Sequence, residues 1–189
     1  MEQSVIIVSG LPRSGTSMMM RMLEAGGIPV LVDNLREADE DNPNGYYEFE
    51  AVKRVREDAS WLPDARGKAV KMVYRLLYDL PGDGTYRVVF MTRKLDEVIA
   101  SQNTMLQRKG KGSDDLSGEQ LAEIYSKQLH EARAWLDSRP NFEVLYVDYG
   151  DALIDTQRVS DEVNQFLQGV LNTNAMVEVP TPSLYRQRR

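Results

Sequence analysis

Gly10-Leu11-Pro12-Arg13-Ser14-Gly15-Thr16-Ser17 holds the residues best suited to chemistry. Glycines at its first and sixth positions let the backbone curl and turn successive N–H groups inward. A helix starting directly behind adds unpaired N–H groups and a positive dipole end. Thr16 and Ser17 contribute hydroxyl donors, and Arg13 contributes charge from inside the loop. Such a loop holds a phosphate. Its spacing is close to GxxxxGK[ST], the pattern that cradles nucleoside triphosphates. Thr16, however, stands where that pattern has lysine. The lysine serves the β- and γ-phosphates, so a phosphate ligand other than a nucleoside triphosphate is expected.

The elements around the loop must aim it. Ser4 to Ser9 is a short β-branched apolar run, the pattern of a strand buried on both faces. Thr16 to Ala25 reads as a helix stopped by Gly26-Gly27. Ile28–Val32, Ala69–Tyr74, Tyr86–Thr92 and Phe142–Val147 read as further strands. Glu48–Ala59, Leu95–Arg108, Leu121–Leu136 and Ser160–Gln168 read as helices, and Ser117 with Gln120 forms a capping-box pattern. Asp33 to Tyr47 is a long polar connection, acidic from Glu37 to Asp41, with a turn over Asn42-Pro43-Asn44-Gly45. Lys109 to Asp115 is a flexible loop. Strands alternating with helices predict an α/β fold of three layers, a mainly parallel sheet flanked by helices. Ligands of such sheets sit beyond the carboxyl ends of the strands. The loops after Ser9, Thr92 and Val147 are therefore the places to look.

Composition bounds the rest. At 189 residues the chain suits a single domain, 1–189. It has no cysteine, which excludes disulfides and thiolate metal sites and fits a cytoplasmic setting. A net charge of −6 argues against a nucleic-acid partner. No window of the sequence is apolar enough for a membrane span, and the N-terminus lacks the basic start of a signal peptide. No oligomeric state is read from the sequence.

Leu11-Pro12-Arg13-Ser14-Gly15-Thr16-Ser17 resembles the 5′-phosphosulfate loop of the sulfotransferases that use 3′-phosphoadenosine 5′-phosphosulfate (PAPS). That family carries a basic residue followed by Ser/Thr-Gly-Thr-Ser/Thr. A second feature agrees: Arg93 follows the strand Val88-Val89-Phe90-Met91-Thr92, and Ser101 stands eight positions later on the next helix. The resemblance implies that Arg13, Ser14, Gly15, Thr16 and Ser17 grip the 5′-phosphosulfate, and that Arg93 and Ser101 bind the 3′-phosphate. Arginine suits this through bidentate, charge-assisted bonds. Val147-Asp148-Tyr149-Gly150-Asp151-Ala152-Leu153 is similar to the family's Tyr-Glu-Asp-Leu stretch, which implies adenosine contact by Tyr149; Gly150 replaces the usual glutamate. The family's adenine-site Arg-Lys-Gly loop is missing, and Leu184-Tyr185-Arg186 stands near the C-terminus instead.

On this reading the chain moves a sulfuryl group from PAPS to a hydroxyl or amine of a small-molecule or glycan acceptor, with no metal required. Lys71, in Ala69-Val70-Lys71-Met72-Val73, resembles the family's strand-end lysine at the bridging oxygen. A lysine inside an apolar strand is also costly unless its amine finds an anion. The acceptor's proton needs a base. The single histidine, His130, falls inside a helix far from the phosphate motifs and reads as an ordinary helix residue. Glu48 is the expected base, below Tyr46 and Tyr47, where cover by the rings would raise its pKa. Glu50 and the acidic run from Glu37 to Asp41 are fallbacks. Two other readings stay open from the sequence: a divergent P-loop kinase with Asp148 as magnesium ligand, and a nucleotide-binding module without catalysis.

Overall fold

The structure is a computed structural model, and it describes residues 3–39, 42, 45–108, 110 and 116–181. The expected positions Glu40, Asp41, Pro43 and Asn44, most of the loop Lys109–Asp115, and the tail with Leu184, Tyr185 and Arg186 lie outside the described residues.

Among the described residues, four strands form one parallel sheet: β1 (Val5–Gly10), β2 (Ala69–Lys71), β3 (Tyr86–Thr92) and β4 (Phe142–Asp148), in the order β2-β1-β3-β4. Every residue of β1 is buried. Its side chains alternate between two cores, Val5 and Ile7 in one, Ile6 and Val8 in the other. That is why the run reads as continuously apolar rather than alternating. Register pairs Ile7 with Val88 and with Val70, so β1 and β3 end side by side while β2 stops opposite Val8.

Helices cover both faces. α1 (Thr16–Ala25), α6 (Thr156–Phe166) and α7 (Thr173–Val177) close one core with Met19, Met22, Val159, Val163 and Met176. α3 (Leu95–Arg108) and α4 (Gly118–Asp137) close the other with Val98, Ala132 and Leu136. Two short helices, α2 (Leu62–Ala65) and α5 (Tyr149–Ile154), complete the set. The three-layer α/β arrangement is the expected one, and the capping box at Ser117 and Gln120 is present with both of its hydrogen bonds.

Three expected elements differ. Ile28–Val32 forms only a single parallel bridge, Val30 to Ala69. Pro29 has no N–H to extend a ladder, and the chain turns away into the polar connection. The strand expected over Ala69–Tyr74 stops at Lys71 and bends into a 3-10 turn over Tyr74–Asp79. The helix expected over Glu48–Ala59 is a 3-10 turn over Glu50–Arg54. Val52 and Val55 are both buried beside it. Their three-residue spacing matches the tighter helix, and β-branching weakens the α form.

Among the described residues no helix is long and apolar enough to cross a membrane.

Candidate active site

β1 lies between β2 and β3, so the chain leaves β1 in one direction and crosses back to reach β3. The cleft at that reversal is where an open α/β sheet receives a ligand, and the loop of residues 11–15 sits in it. Gly10 and Gly15 shape the loop for different reasons. Gly10 has φ +144°, and a Cβ there would lie 2.5 Å from the Met91 carbonyl oxygen. Gly15 has φ +96°, and a Cβ would lie 2.3 Å from a ring carbon of Tyr149. No other residue fits either place. Arg13 also adopts a left-handed conformation, φ 73°. Ser14 is buried and donates its hydroxyl to the Leu11 carbonyl at 2.7 Å. This hydroxyl therefore closes the loop on itself.

Gly15 is the N-cap of α1, no side chain caps that end, and the first turn carries no acidic residue. The first N–H groups of α1 thus face the cleft without an anionic side chain in front of them.

The residues after β3 and β4 converge on this loop. Arg13 donates from Nε to Ser101 Oγ at 2.9 Å. Arg93 donates from Nη1 to the Arg13 carbonyl at 3.1 Å. From Nε it donates to Glu97 at 2.9 Å, one turn further along α3. The Arg93 guanidinium also lies 4.5 Å from the centre of the Tyr149 ring. Both expected phosphate motifs are thereby brought into direct contact, although Arg13 and Ser101 are 88 positions apart. Burial pushes the Tyr149 pKa up, and Arg93 opposes the shift. The ring is packed between Gly15 and Arg93, so it braces the loop.

Lys71 and Glu48 form a second cluster at the end of β2. Arg36 Nη1 lies 2.8 Å from Glu48 Oε1, and Lys71 Nζ lies 3.8 Å from the same oxygen. Lys71 also donates to the Tyr46 carbonyl. Burial lowers the Lys71 pKa to about 8, with Glu48 opposing the shift. The hydroxyls of Tyr46 and Tyr47 bond other acids. The Tyr46 hydroxyl bonds Asp39 at 2.5 Å, and the Tyr47 hydroxyl bonds Glu24 at 2.5 Å. Burial and the Glu24 contact push Tyr47 up to about 12. Two cations, Arg36 and Lys71, flank Glu48. Arg36 lies over the Tyr46 ring, 3.2 Å from its centre.

Ser17 joins the clusters. Its hydroxyl donates to the Tyr46 carbonyl at 3.2 Å and accepts from Asn42 Nδ2 at 3.0 Å. The same carbonyl thus receives Ser17 from the loop side and Lys71 from the sheet side. Of the other candidates, Glu50 is exposed and pairs with Lys53, and His130 is exposed on α4. Asp148 Oδ1 accepts from the N–H groups of Gly150 and Asp151 at 2.7 and 3.2 Å. It caps α5, which gives this carboxylate a structural task in place of a magnesium ligand's. No group of three or more His, Asp or Glu residues among the described residues is arranged to hold a metal ion.

Two residues of the site escaped the sequence. Glu97 is only 1% exposed, and its signal was an acid four positions after a strand-end arginine. Arg36 has no such signal, since it sits in an acidic stretch.

Three solved sulfotransferase structures are similar to almost the whole chain. Mouse sulfotransferase SULT7A1, complexed with PAP, superposes with a TM-score of 0.57 at 16% identity, covering 95% of this chain and 63% of that one. The sulfotransferase domain from the curacin biosynthetic pathway gives 0.52 at 17% identity, covering 98% and 78%. The sulfotransferase from Alicyclobacillus acidocaldarius gives 0.53 at 16%, covering 97% and 89%. The chain spans about 63% of the length of the mouse protein. No protein-family model matches it, and no curated protein does. At these identities the likeness is one of fold: the chain has the P-loop-like α/β fold of sulfotransferases.

Proposed function

We propose that the chain is a sulfotransferase moving a sulfuryl group from PAPS to a hydroxyl or amine of a small-molecule or glycan acceptor. One observation carries this reading. An uncapped helix N-terminus, Arg13, Arg93 and Ser101 converge at a single sheet reversal, in a fold that sulfotransferases share. Two anionic groups of one nucleotide are what such a pair of cationic centres suits.

The roles follow from chemistry and placement. Residues 13–17 hold the 5′-phosphosulfate through backbone N–H groups, the Arg13 guanidinium and the hydroxyls of Thr16 and Ser17. Arg93 and Ser101 hold the 3′-phosphate, and Tyr149 borders the adenosine. Positioning and fixed charge supply most of the rate, as in phosphoryl transfer. Lys71 as ammonium neutralises charge on the departing phosphate oxygen. Glu48 Oε2 takes the acceptor's proton while its other oxygen stays anchored by Arg36. As the acceptor oxygen or nitrogen bonds to sulfur, the bond from sulfur to the phosphate oxygen breaks, and its electron pair leaves with the nucleotide.

A P-loop kinase is the weaker reading. Thr16 replaces the Walker lysine, and Asp148 is engaged at the start of α5. The test is transfer of labelled sulfate from PAPS to a panel of phenols, alcohols, amines and sugars. Transfer to any of them, reduced roughly 10²–10⁴-fold in Glu48→Gln, supports the proposal. Tight nucleotide binding without transfer to any acceptor would leave a binding module, and magnesium-dependent ATP turnover a kinase.

A further inference from the structure

The 3-10 turn over Tyr74–Asp79, which follows β2, and α4 enclose an open groove of about 490 Å³, lined by Tyr74, Arg75, Tyr78, Gln128, Glu131 and Trp135. Its size lies in the usual range for ligand sites, roughly 300–1,000 Å³. We propose that this groove binds a saccharide ring.

The aromatic side is already set. Tyr78 and Trp135 lie 4.7 Å apart at 57°. Trp135 is held from behind by the edge of Phe142 at 5.3 Å and by Arg139 at 4.9 Å from the ring centre. Tyr78 remains 40% exposed. A pyranose presents a face of C–H groups, which suits an exposed aromatic ring, and a rim of hydroxyls that both donate and accept.

Polar groups beside the rings offer partners for that rim. The Tyr74 hydroxyl donates to Gln128 Oε1 at 2.7 Å and accepts from Arg75 Nε at 3.1 Å. One buried hydroxyl therefore orients two planar side chains. Among the described residues, the Gln128 amide nitrogen, the outer nitrogens of Arg75, the Glu131 carboxylate and the Tyr78 hydroxyl make no hydrogen bond to protein, though Arg75 and Glu131 both act on Tyr78 through their charge. Donors and an acceptor thus stand beside the rings on both walls: Arg75 with Tyr78 on the turn, Gln128 and Glu131 with Trp135 on α4. A flat apolar ligand would desolvate Glu131 and Gln128 with nothing in return. A strongly charged partner would meet Arg75 and Glu131, which are of opposite sign. Vicinal hydroxyls satisfy all of these groups together.

Tyr74 follows Lys71 by three positions. Counting the bound ring as part of the sulfuryl acceptor rests on the function proposed above; the binding itself does not.

The experiment is saturation-transfer NMR on the full chain. The probes are methyl β-D-glucopyranoside, cellobiose, lactose and N,N′-diacetylchitobiose, with p-cresol as an aromatic lacking the hydroxyl array. Adenosine 3′,5′-bisphosphate is titrated in parallel. At least one sugar should receive saturation. Glu131→Ala and Tyr78→Ala, both at exposed positions, should each weaken its binding roughly tenfold, as for loss of a bond to a charged group or of an aromatic platform. Both variants should bind the bisphosphate like the parent. Silence from all four sugars, saturation of p-cresol alone, or sugar binding unchanged in both variants would overturn the proposal. Sugar binding with no bisphosphate binding would leave the groove intact and remove the donor reading instead.

Discussion

The loop after β1 and the connection before Glu48 both border the cleft, and they are built on opposite plans. The first is fixed by backbone. Gly10 and Gly15 have no room for a side chain, Ser14 is buried, and Tyr149 and Arg93 brace the turn from two other strand ends. The second is fixed by side chains. Between Asp33 and Glu48 the described residues contain no strand or helix, and the segment is tied down through Arg36, Asn42, Tyr46 and Tyr47. On the proposed function, a donor that never varies would suit the first plan, because its phosphates would always occupy one place. An acceptor side can vary with few consequences for the fold when it hangs on replaceable polar contacts.

Substitutions can break or sharpen this contrast. Gly15→Ala should have the largest effect on nucleotide affinity, since its Cβ would enter the Tyr149 ring. Affinity for adenosine 3′,5′-bisphosphate is expected to fall at least about a hundredfold, or about 3 kcal/mol, by calorimetry. A near-normal affinity would mean that the loop is not braced as described.

Arg93→Ala comes next and should act twice. It removes the proposed ligand of the 3′-phosphate, and it takes away the guanidinium beside buried Glu97. Breaking such a pair from one side costs about 3–5 kcal/mol, measurable by urea unfolding. Arg93→Met combined with Glu97→Met should recover most of that stability and none of the nucleotide affinity. Recovery of both would make the pair purely structural.

Lys71 should produce an effect that depends on pH. Burial holds it at about 8 in the folded chain, against 10.5 ordinarily. Between those values the unfolded chain carries more protons than the folded one. This lysine therefore destabilises the fold below about pH 8, and the penalty is relieved as pH rises towards 10.5. Transfer that needs its ammonium should run the other way, slowing above about pH 8. Lys71→Met should lower kcat roughly 10²–10³-fold and abolish the alkaline fall in rate. It should also flatten the rise in stability, as followed by thermal melts across that range.

Gly45→Ala should show the smallest effect. Gly45 has φ +86°, but a Cβ there would meet nothing within 4 Å. Only the left-handed backbone resists, at about 1 kcal/mol. Nucleotide affinity should not move. A loss comparable to that of Gly15→Ala would erase the contrast between the two regions.

The same contrast explains what the sequence made legible. Gly10 and Gly15 could be read at a distance, because a backbone nest demands glycine at particular places, whereas Arg93 and Ser101 were legible only through the family resemblance. Strand β3 and helix α1 were also plain, since their apolar runs end at sharp signals: Arg93 for one, Gly26-Gly27 for the other. The surroundings of Glu48 were not. Its neighbours Arg36 and Lys71 come from 12 positions before it and 23 after it in the chain, and no period or motif links them. Proximity to Tyr46 and Tyr47 suggested a covering role that their hydroxyls do not take. The groove beside Tyr78 and Trp135 was hidden for the same reason: its walls meet only once α4 packs beside the turn after β2.

The central claim is tested most directly by calorimetric titration with adenosine 3′,5′-bisphosphate, beside ATP with magnesium and with Arg93→Ala as control. The account predicts micromolar binding of the bisphosphate, much weaker binding of ATP, and a loss of about 1.5–3 kcal/mol in the variant, as for hydrogen bonds to charged groups. Absence of bisphosphate binding, or a clear preference for ATP, would contradict it.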